Sequence, residues 1–184
     1  MTKRLFIAIN LPEELKKSLD KVADKLKKTY KNSRSINFVD PKIMHITLAF
    51  LGDVEEVKID LLKEIIFTVC EKYKKTKIET SEFSAFPSEY NPKVLFLENI
   101  NEGNSLFSLQ RNLLDNFLNK GFEPDLKRLR LHITIARIKS KMRIDFKSFD
   151  FKKFVFKVES IDLMESRLEN EGPQYKIIEK FNLK

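Results

Sequence analysis

The sequence predicts an α+β fold made of two similar halves. Segments in which apolar residues alternate, as in β-strands, are interspersed with segments in which they recur at helical spacing. No glycine-rich phosphate loop interrupts this succession. The pattern His-Ile-Thr-aliphatic occurs at 45–48 and again at 132–135, separated by close to half the chain. We therefore expect two lobes, each with one motif strand and at least one helix, and a cleft between them.

The first half of the chain predicts three strands and two helices. Strand patterns occupy residues 5–9, 37–39 and 45–51. Apolar residues at helical spacing follow at 15–26 and 57–69. Pro12 before two glutamates is typical of the first turn of a helix. Asp53 with Glu56 resembles a capping box, which predicts the start of the second helix.

The second half predicts four strands, a helix and a terminal hairpin. Strand patterns occupy residues 77–86, 94–98, 132–138 and 154–158. A helix is predicted over 106–118, and Gly121 can end it. Two further strands are expected to run to Phe181, with residues 169–173 as the loop between them.

Length and composition predict one domain covering residues 1–184. With 184 residues, 42% of them hydrophobic, the chain can bury a large core without disulfides. Cys70 is the one cysteine and lies in an apolar run, which predicts a buried, unreactive thiol. No segment suits a signal peptide or a membrane span, so we expect a cytoplasmic protein that does not bind membranes. The net charge of +8 is compatible with a polyanionic partner such as RNA or with a basic surface alone.

Both histidines of the chain begin the repeated motif. Under average composition, a histidine is followed by Ile-Thr-aliphatic on the order of once in a thousand times. On a strand, His45 and Thr47 share one face, and His132 and Thr134 do the same. Two such strands at a cleft supply two imidazoles and two hydroxyl groups. One neutral imidazole can take a proton from water while the other, protonated, donates to a leaving oxygen.

Other chemistries fit the sequence less well. Two histidines and one cysteine lack the spacing of a zinc site, even if Asp40 or Asp53 completed the set. No Gly-x-Ser-x-Gly elbow supports a serine hydrolase. A single His-x-Thr on a strand is usually structural, but its repetition favours a catalytic pair. We therefore expect no metal and no cofactor.

The sequence resembles the two-histidine phosphoesterases, and more narrowly the RNA 2′,3′-cyclic phosphodiesterases, formerly called 2′-5′ RNA ligases. The resemblance spans nearly the whole chain. The matching segments are 4–9 with 11–12, 45–54, 130–137, and 163–168 with Gly172 and Tyr175. It implies a bilobal α+β fold with two pseudo-symmetric lobes, each with an antiparallel sheet and flanking helices, around the active-site cleft.

The resemblance also implies an activity and residue roles. The expected reaction is metal-independent hydrolysis of a terminal RNA 2′,3′-cyclic phosphate to a 2′-phosphomonoester. By carry-over, His45 is the proton donor to the departing 3′ oxygen, and His132 is the proton acceptor from water. Arg137 matches a family arginine expected near the phosphate, although strict strand alternation sends it to the opposite face unless the strand bends or ends near Ala136.

Two further residues and several alternatives complete the hypothesis. Phe50 is a candidate for stacking on a base, with core packing as its alternative, and Arg130 can bind phosphate or be solvated. The expected partner is RNA ending in a cyclic phosphate, tRNA fragments being one candidate, and we expect a monomer. The same site would also suit a 2′-5′ RNA ligase or nuclease, or a phosphodiesterase of small cyclic nucleotides. A non-catalytic RNA-binding module is the alternative from another class.

Overall fold

The computed structural model of the chain describes residues 1–30, 35–146, 151–169 and 172–184. These residues form nine strands and three α-helices. The strands are β1 (Thr2–Asn10), β2 (Ile36–Phe38), β3 (His45–Glu55), β4 (Thr76–Phe86), β5 (Val94–Ile100), β6 (His132–Ile138), β7 (Val155–Val158), β8 (Ser160–Glu169) and β9 (Gly172–Asn182). The helices are α1 (Glu13–Thr29), α2 (Ile59–Cys70) and α3 (Ser105–Asn119). The predicted α+β succession is confirmed.

One antiparallel sheet connects the strands. Its order is β7-β4-β5-β6-β3-β1-β8-β9, and β2 pairs with β6 beside this path. The two motif strands, β3 and β6, are neighbours at the centre. Each half of the sheet therefore carries one motif strand at its inner edge, which is the two-lobed arrangement that the repeat predicts.

The motif strands diverge on both sides of their point of contact. In the described part of the chain, Ile46 and Ile133 form the one β3–β6 pair. Beyond it, β2 takes over the edge of β6, with Phe38 opposite Ala136. The edge of β3 is covered by a loop whose Asp125 backbone N–H donates to the Phe50 carbonyl at 2.9 Å. The strands thus open a cleft without leaving these backbone groups unpaired.

The helices cover the face of the sheet opposite the motif histidines. The buried side of α1, from Leu15 to Leu26, packs in the same hydrophobic core as Ile46 and Ile133. Buried residues of α2 and α3 belong to this core as well. Helix α1 has two glutamates in its first turn and two lysines in its last, an arrangement that favours its dipole.

Two local predictions need correction. Asp53 does not cap α2, because it lies in β3 opposite Arg4, and the ladder with β1 continues to Glu55. Backbone pairing along β1 therefore replaces the local cap, and α2 follows a 3₁₀ turn without a side-chain cap bond at Lys58. The terminal hairpin is also tighter than predicted, since β8 reaches Glu169 and β9 begins at Gly172. Residues 170–171 of the predicted loop lie outside the described residues.

The predicted burial of the cysteine is confirmed. Cys70 ends α2 with 1% of its surface exposed. Burial, followed by the charge of Glu71, raises the pKa of its thiol to about 12.

Within the described residues, no helix has both the length and the apolar character needed to cross a membrane.

Candidate active site

The two motifs bring their polar side chains to one face of the sheet. The central isoleucines, Ile46 and Ile133, are fully buried in the core. Residues on either side of them point the other way because side chains alternate along a strand. The histidine and the threonine of each motif are accordingly half-buried rather than enclosed.

Each histidine has the threonine of the other motif as its cross-strand neighbour. The strands run antiparallel through the central isoleucine pair. Extended by one residue to either side, this register puts Thr134 across from His45 and His132 across from Thr47. The four side chains therefore form a two-fold arrangement around one point of the sheet, with an imidazole and a hydroxyl group on each side.

Both imidazoles are held in the same way by the backbone. Nδ1 of His45 lies 2.8 Å from the carbonyl oxygen of Ile43. Nδ1 of His132 lies 2.7 Å from the carbonyl oxygen of Arg130. Because a carbonyl can only accept, Nδ1 carries the hydrogen in both rings. Nε2 is then the atom that faces a substrate, as a lone pair in the neutral ring and as a donor in the protonated ring.

Aromatic side chains surround His45. The Phe6 ring centroid lies 5.1 Å from that of His45, and Tyr175 packs edge-on against the imidazole at 5.1 Å. Burial lowers the pKa of His45, the hydrogen bond to Ile43 raises it, and the nearby charge of His132 lowers it further, with a net lowering. Burial therefore favours the neutral form of His45.

His132 lies in a more polar setting. Its ring packs edge-on against Phe96, with centroids 5.4 Å apart. The Arg130 guanidinium also lies over the Phe96 ring, 4.6 Å from its centroid. Arg130 forms an ion pair with Glu98, the residue opposite His132 on β5. In this structure Arg130 is thus engaged by a carboxylate beside the site, rather than being simply solvated.

A β-bulge in β6 decides the direction of Arg137. Ile135 and Ala136 are consecutive, yet both are buried in the core. The register with β5 shifts at this point, since Leu95 pairs with Ala136 and Phe96 pairs with Thr134. The extra residue reverses the alternation. Arg137 is therefore exposed on the face that carries the motif histidines. The bulge is the bend near Ala136 without which strict alternation would send Arg137 to the opposite face.

β3 contains the equivalent bulge. Leu48 and Ala49 are both buried in the core, and β1 skips Leu48 in its register with β3. Phe50 consequently returns to the face of His45, and 51% of it is exposed. Its ring lies 6.0 Å from that of Phe6. Phe50 is not a core residue, and it occupies the position in β3 that Arg137 occupies in β6.

The residues considered for a metal site are not gathered together. Among the described residues, no group of three or more His, Cys, Asp or Glu side chains is arranged to hold a metal ion. Asp40 instead accepts a hydrogen bond from the Lys42 backbone N–H at the start of a 3₁₀ turn.

Comparison with known proteins identifies the family. The sequence pattern of the LigT-like phosphoesterases matches residues 9–96 and 99–175. The chain belongs to this family. Both histidine motifs lie within the matched segments.

Similar proteins cover almost the whole of this family member. A protein of Methanocaldococcus jannaschii named RNA 2′,3′-cyclic phosphodiesterase is 31% identical over 97% of this chain and 99% of its own length. A Thermotoga maritima protein of the same name is 29% identical, covering 95% of this chain and 92% of its own. The Thermus thermophilus protein TT0787 has a TM-score of 0.79 with 26% identity, covering 98% of this chain and 97% of its own. E. coli LigT, in its complex with 3′-AMP, has the same fold, with a TM-score of 0.79 at 20% identity and coverage of 100% and 99%.

The sequence did not predict that three aromatic residues pack against the histidines in the site of this LigT-like phosphoesterase. Phe6 and Phe96 each pack against one histidine from the next strand outward. Tyr175 contacts His45 from the far end of the sequence. The alternation of Phe6 with Leu5 and Ile7 in a strand buried on both faces was a usable signal. Only the resemblance of the terminal hairpin pointed to Tyr175.

Proposed function

We propose that this chain hydrolyses RNA 2′,3′-cyclic phosphate ends to 2′-phosphomonoesters by metal-independent acid–base catalysis. The observation that carries the proposal is the pairing of His45 and His132, each fixed through Nδ1 so that Nε2 is available at one cleft. The names of the relatives in Methanocaldococcus jannaschii and Thermotoga maritima supply the substrate class.

The proposed reaction uses the two Nε2 atoms in opposite states. Neutral His132 takes a proton from a water molecule, and the water oxygen forms a bond to phosphorus. The bond from phosphorus to the 3′ oxygen breaks, and protonated His45 donates its Nε2 proton to that oxygen. The product is a 2′-phosphomonoester with a free 3′ hydroxyl. The assignment of acid and base follows the family resemblance, since the two-fold geometry is compatible with either.

The lowered pKa of His45 constrains this assignment. Burial favours the neutral ring, which cannot act as the acid. A bound cyclic phosphate brings a negative charge next to the imidazole, and an opposite charge raises the pKa of a histidine. We infer that substrate binding raises the pKa of His45, so that the ring takes up from solvent the proton that it later donates to the 3′ oxygen.

Other residues are proposed to bind the substrate. Thr47 and Thr134 can donate hydroxyl hydrogen bonds to the non-bridging phosphate oxygens. Arg137 supplies a positive charge for the anion, and Phe50 supplies a ring for a base. Arg130 can contribute only if the substrate competes with Glu98 for its guanidinium.

We propose that residues 1–184 act as a single bilobal catalytic domain and as a monomer. The proposal is supported by the path of the chain, because β8 near the C-terminus pairs with β1 at the N-terminus. The half of the sheet that holds β3 is thus built from both ends of the chain. Residues 45–48 contribute one motif strand and residues 132–135 the other. The RNA partner, including tRNA fragments as one source, enters from the open side of the sheet.

Product identification tests the function. An RNA ending in a 2′,3′-cyclic phosphate is incubated with the protein, with and without EDTA, and the ends are separated by chromatography. A 2′-phosphate formed equally in both reactions supports the proposal. Loss of activity in EDTA contradicts the metal-free mechanism, a ligated product indicates the reverse reaction, and salt-sensitive binding without product indicates a binding module.

A further inference from the structure

A cavity lies beside the candidate active site, beyond the groups that exchange protons in the proposed reaction. Its volume is about 430 Å³, which is within the range of pockets that hold small molecules and nucleotides. Three segments contribute to it: β1, the bulged part of β3, and the loop between α3 and β6. The residues that line it are Arg4, Phe50, Gly52, Glu123, Pro124 and Asp125.

Phe6 connects this cavity to His45. Its ring centroid is 5.1 Å from that of His45 and 6.0 Å from that of Phe50. The cavity therefore begins one aromatic ring away from the catalytic imidazole. Half of Phe50 is exposed, so its ring offers a flat apolar surface on which a base can stack. Apart from Gly52 and its two chain neighbours, no atom of the described residues lies within 4 Å of the position that a Cβ on Gly52 would occupy, so this wall of the cavity is open.

The cavity carries charges of both signs. Asp125 is compensated by Lys127, whose Nζ lies 2.8 Å from Oδ2 and whose backbone N–H donates to Oδ1. Arg4 and Glu123 are exposed, and neither forms an ion pair with any residue that the structure describes. One guanidinium and one carboxylate are thus available to a ligand. A guanidinium next to an exposed ring suits a phosphate joined to a base.

We propose that this cavity binds the nucleotide that precedes the cyclic-phosphate end of an RNA strand. Phe50 stacks on the base of this nucleotide, and Arg4 contacts a backbone phosphate. The inference rests on the proposed function, and it narrows the substrate class. A free cyclic mononucleotide lacks this preceding nucleotide and the phosphate that joins it, so the protein should prefer RNA strands to small cyclic nucleotides.

The test compares two substrates with the same reacting group. Values of kcat/KM are measured on adenosine 2′,3′-cyclic phosphate and on a short oligoadenylate ending in the same cyclic phosphate. Wild-type protein should prefer the oligonucleotide. R4Q should lower the oligonucleotide-to-mononucleotide ratio roughly tenfold or more, as expected for a charge-assisted hydrogen bond. R4K, which keeps the charge without the planar fork, should lie between them.

Two further variants separate charge from structural damage. E123Q removes a negative charge from the same cavity and should not lower the ratio, because it weakens repulsion of the RNA backbone. R111Q makes the same chemical change on the exposed side of α3, in the helical layer away from the cleft, and should leave the ratio unchanged. R4Q should also reduce the slope of log kcat/KM against log salt by about 0.7, the value of one phosphate contact in a single strand.

The outcomes distinguish failure of the cavity proposal from failure of the proposed function. If wild-type protein turns over neither substrate, the proposed function is wrong. If it turns over both with equal kcat/KM, or if R4Q keeps the wild-type ratio, the cavity proposal alone is overturned. A fall in the ratio for E123Q as large as that for R4Q also contradicts it.

Discussion

Ile46 lies directly opposite Ile133, and this pair joins the two halves of the sheet. Both side chains are fully buried on the helical side. The histidines lie one residue away from the pair on opposite strands, so the same contact fixes the spacing between the two imidazoles. Packing in the core and geometry in the active site therefore depend on one pair of residues.

Replacing either isoleucine by alanine should cost stability. Loss of a buried isoleucine side chain with incomplete collapse of the cavity typically costs about 2–5 kcal/mol of unfolding free energy. Because the two residues are in contact, the double variant should deviate from additivity by about 0.5–3 kcal/mol. Urea unfolding of the four proteins measures both quantities. Strict additivity would mean that the two halves are held together elsewhere.

Removing either imidazole should abolish most of the turnover. We expect H45A and H132A each to lower kcat on a cyclic-phosphate RNA by roughly 10²–10⁴ or more, the range for loss of a general acid or base. Both side chains are only half-buried, so the variants should keep the wild-type far-UV circular dichroism. T47A removes one hydroxyl donor and leaves both imidazoles, so it should lower kcat less than either histidine variant. If both histidine variants retain the wild-type rate, the histidine pair is not the catalytic machinery.

The pKa of His45 should respond to its surroundings in a defined direction. NMR titration should give His45 a pKa below its ordinary value, because burial disfavours the charged ring. H132Q should raise it, since the repelling charge of His132 is removed. Inorganic phosphate, as an anion in the cleft, should raise it as well. If the pKa of His45 is lower in H132Q than in the wild type, charge repulsion between the two rings is excluded as a cause of the lowered pKa.

The same shift has a consequence for stability. Unfolded His45 takes up a proton at about pH 6.5, whereas the folded protein takes it up only at lower pH. The contribution of this residue is therefore fully retained above about pH 6.5 and is lost as the pH falls through the folded-state pKa. Urea midpoints of wild type and H45Q, measured at pH 7.5 and 5.5, should show a smaller acid loss in the variant.

The buried thiol offers an independent probe of the fold. With its pKa raised to about 12 and almost no exposed surface, Cys70 should not react with a thiol reagent such as DTNB in the native state at pH 8. Reaction should appear only with unfolding in urea. The unfolded thiol ionises above about pH 8.5, so stability should also decrease as the pH rises beyond that value. Rapid labelling of native protein would contradict the described packing of α2.

Much of the site could be predicted from local pattern. Alternation along a strand is enough to put His45 with Thr47 on one face, and His132 with Thr134 on another. That the two faces meet could be inferred only from the repetition. The cross-strand exchange, in which each histidine faces the other motif's threonine, requires the antiparallel register and could not be inferred from either motif alone.

The remaining features depend on contacts between distant parts of the chain. Tyr175 reaches His45 because β8 brings the C-terminal hairpin to β1. Arg130 is engaged because Glu98 lies opposite His132 on β5. The bulges were not predicted as such. In the sequence they coincide with the two consecutive apolar residues that follow each His-Ile-Thr. The prediction of a capping box at Asp53 was wrong because Asp53 pairs with a distant strand, β1, instead of capping the helix next to it in sequence.

Arg137 is the residue whose role depends most directly on a bulge. Because Ile135 and Ala136 are both buried, Arg137 is exposed on the catalytic face and makes no ion pair with the residues that the structure describes. We expect R137Q to lower kcat/KM on a cyclic-phosphate RNA roughly 10- to 100-fold through loss of a charge-assisted contact to phosphate. K139Q, two residues further along and also exposed, is the matched control and should change it less than twofold. Equal kcat/KM values for R137Q and K139Q would separate the bulge from substrate binding and leave it a purely structural feature of the strand.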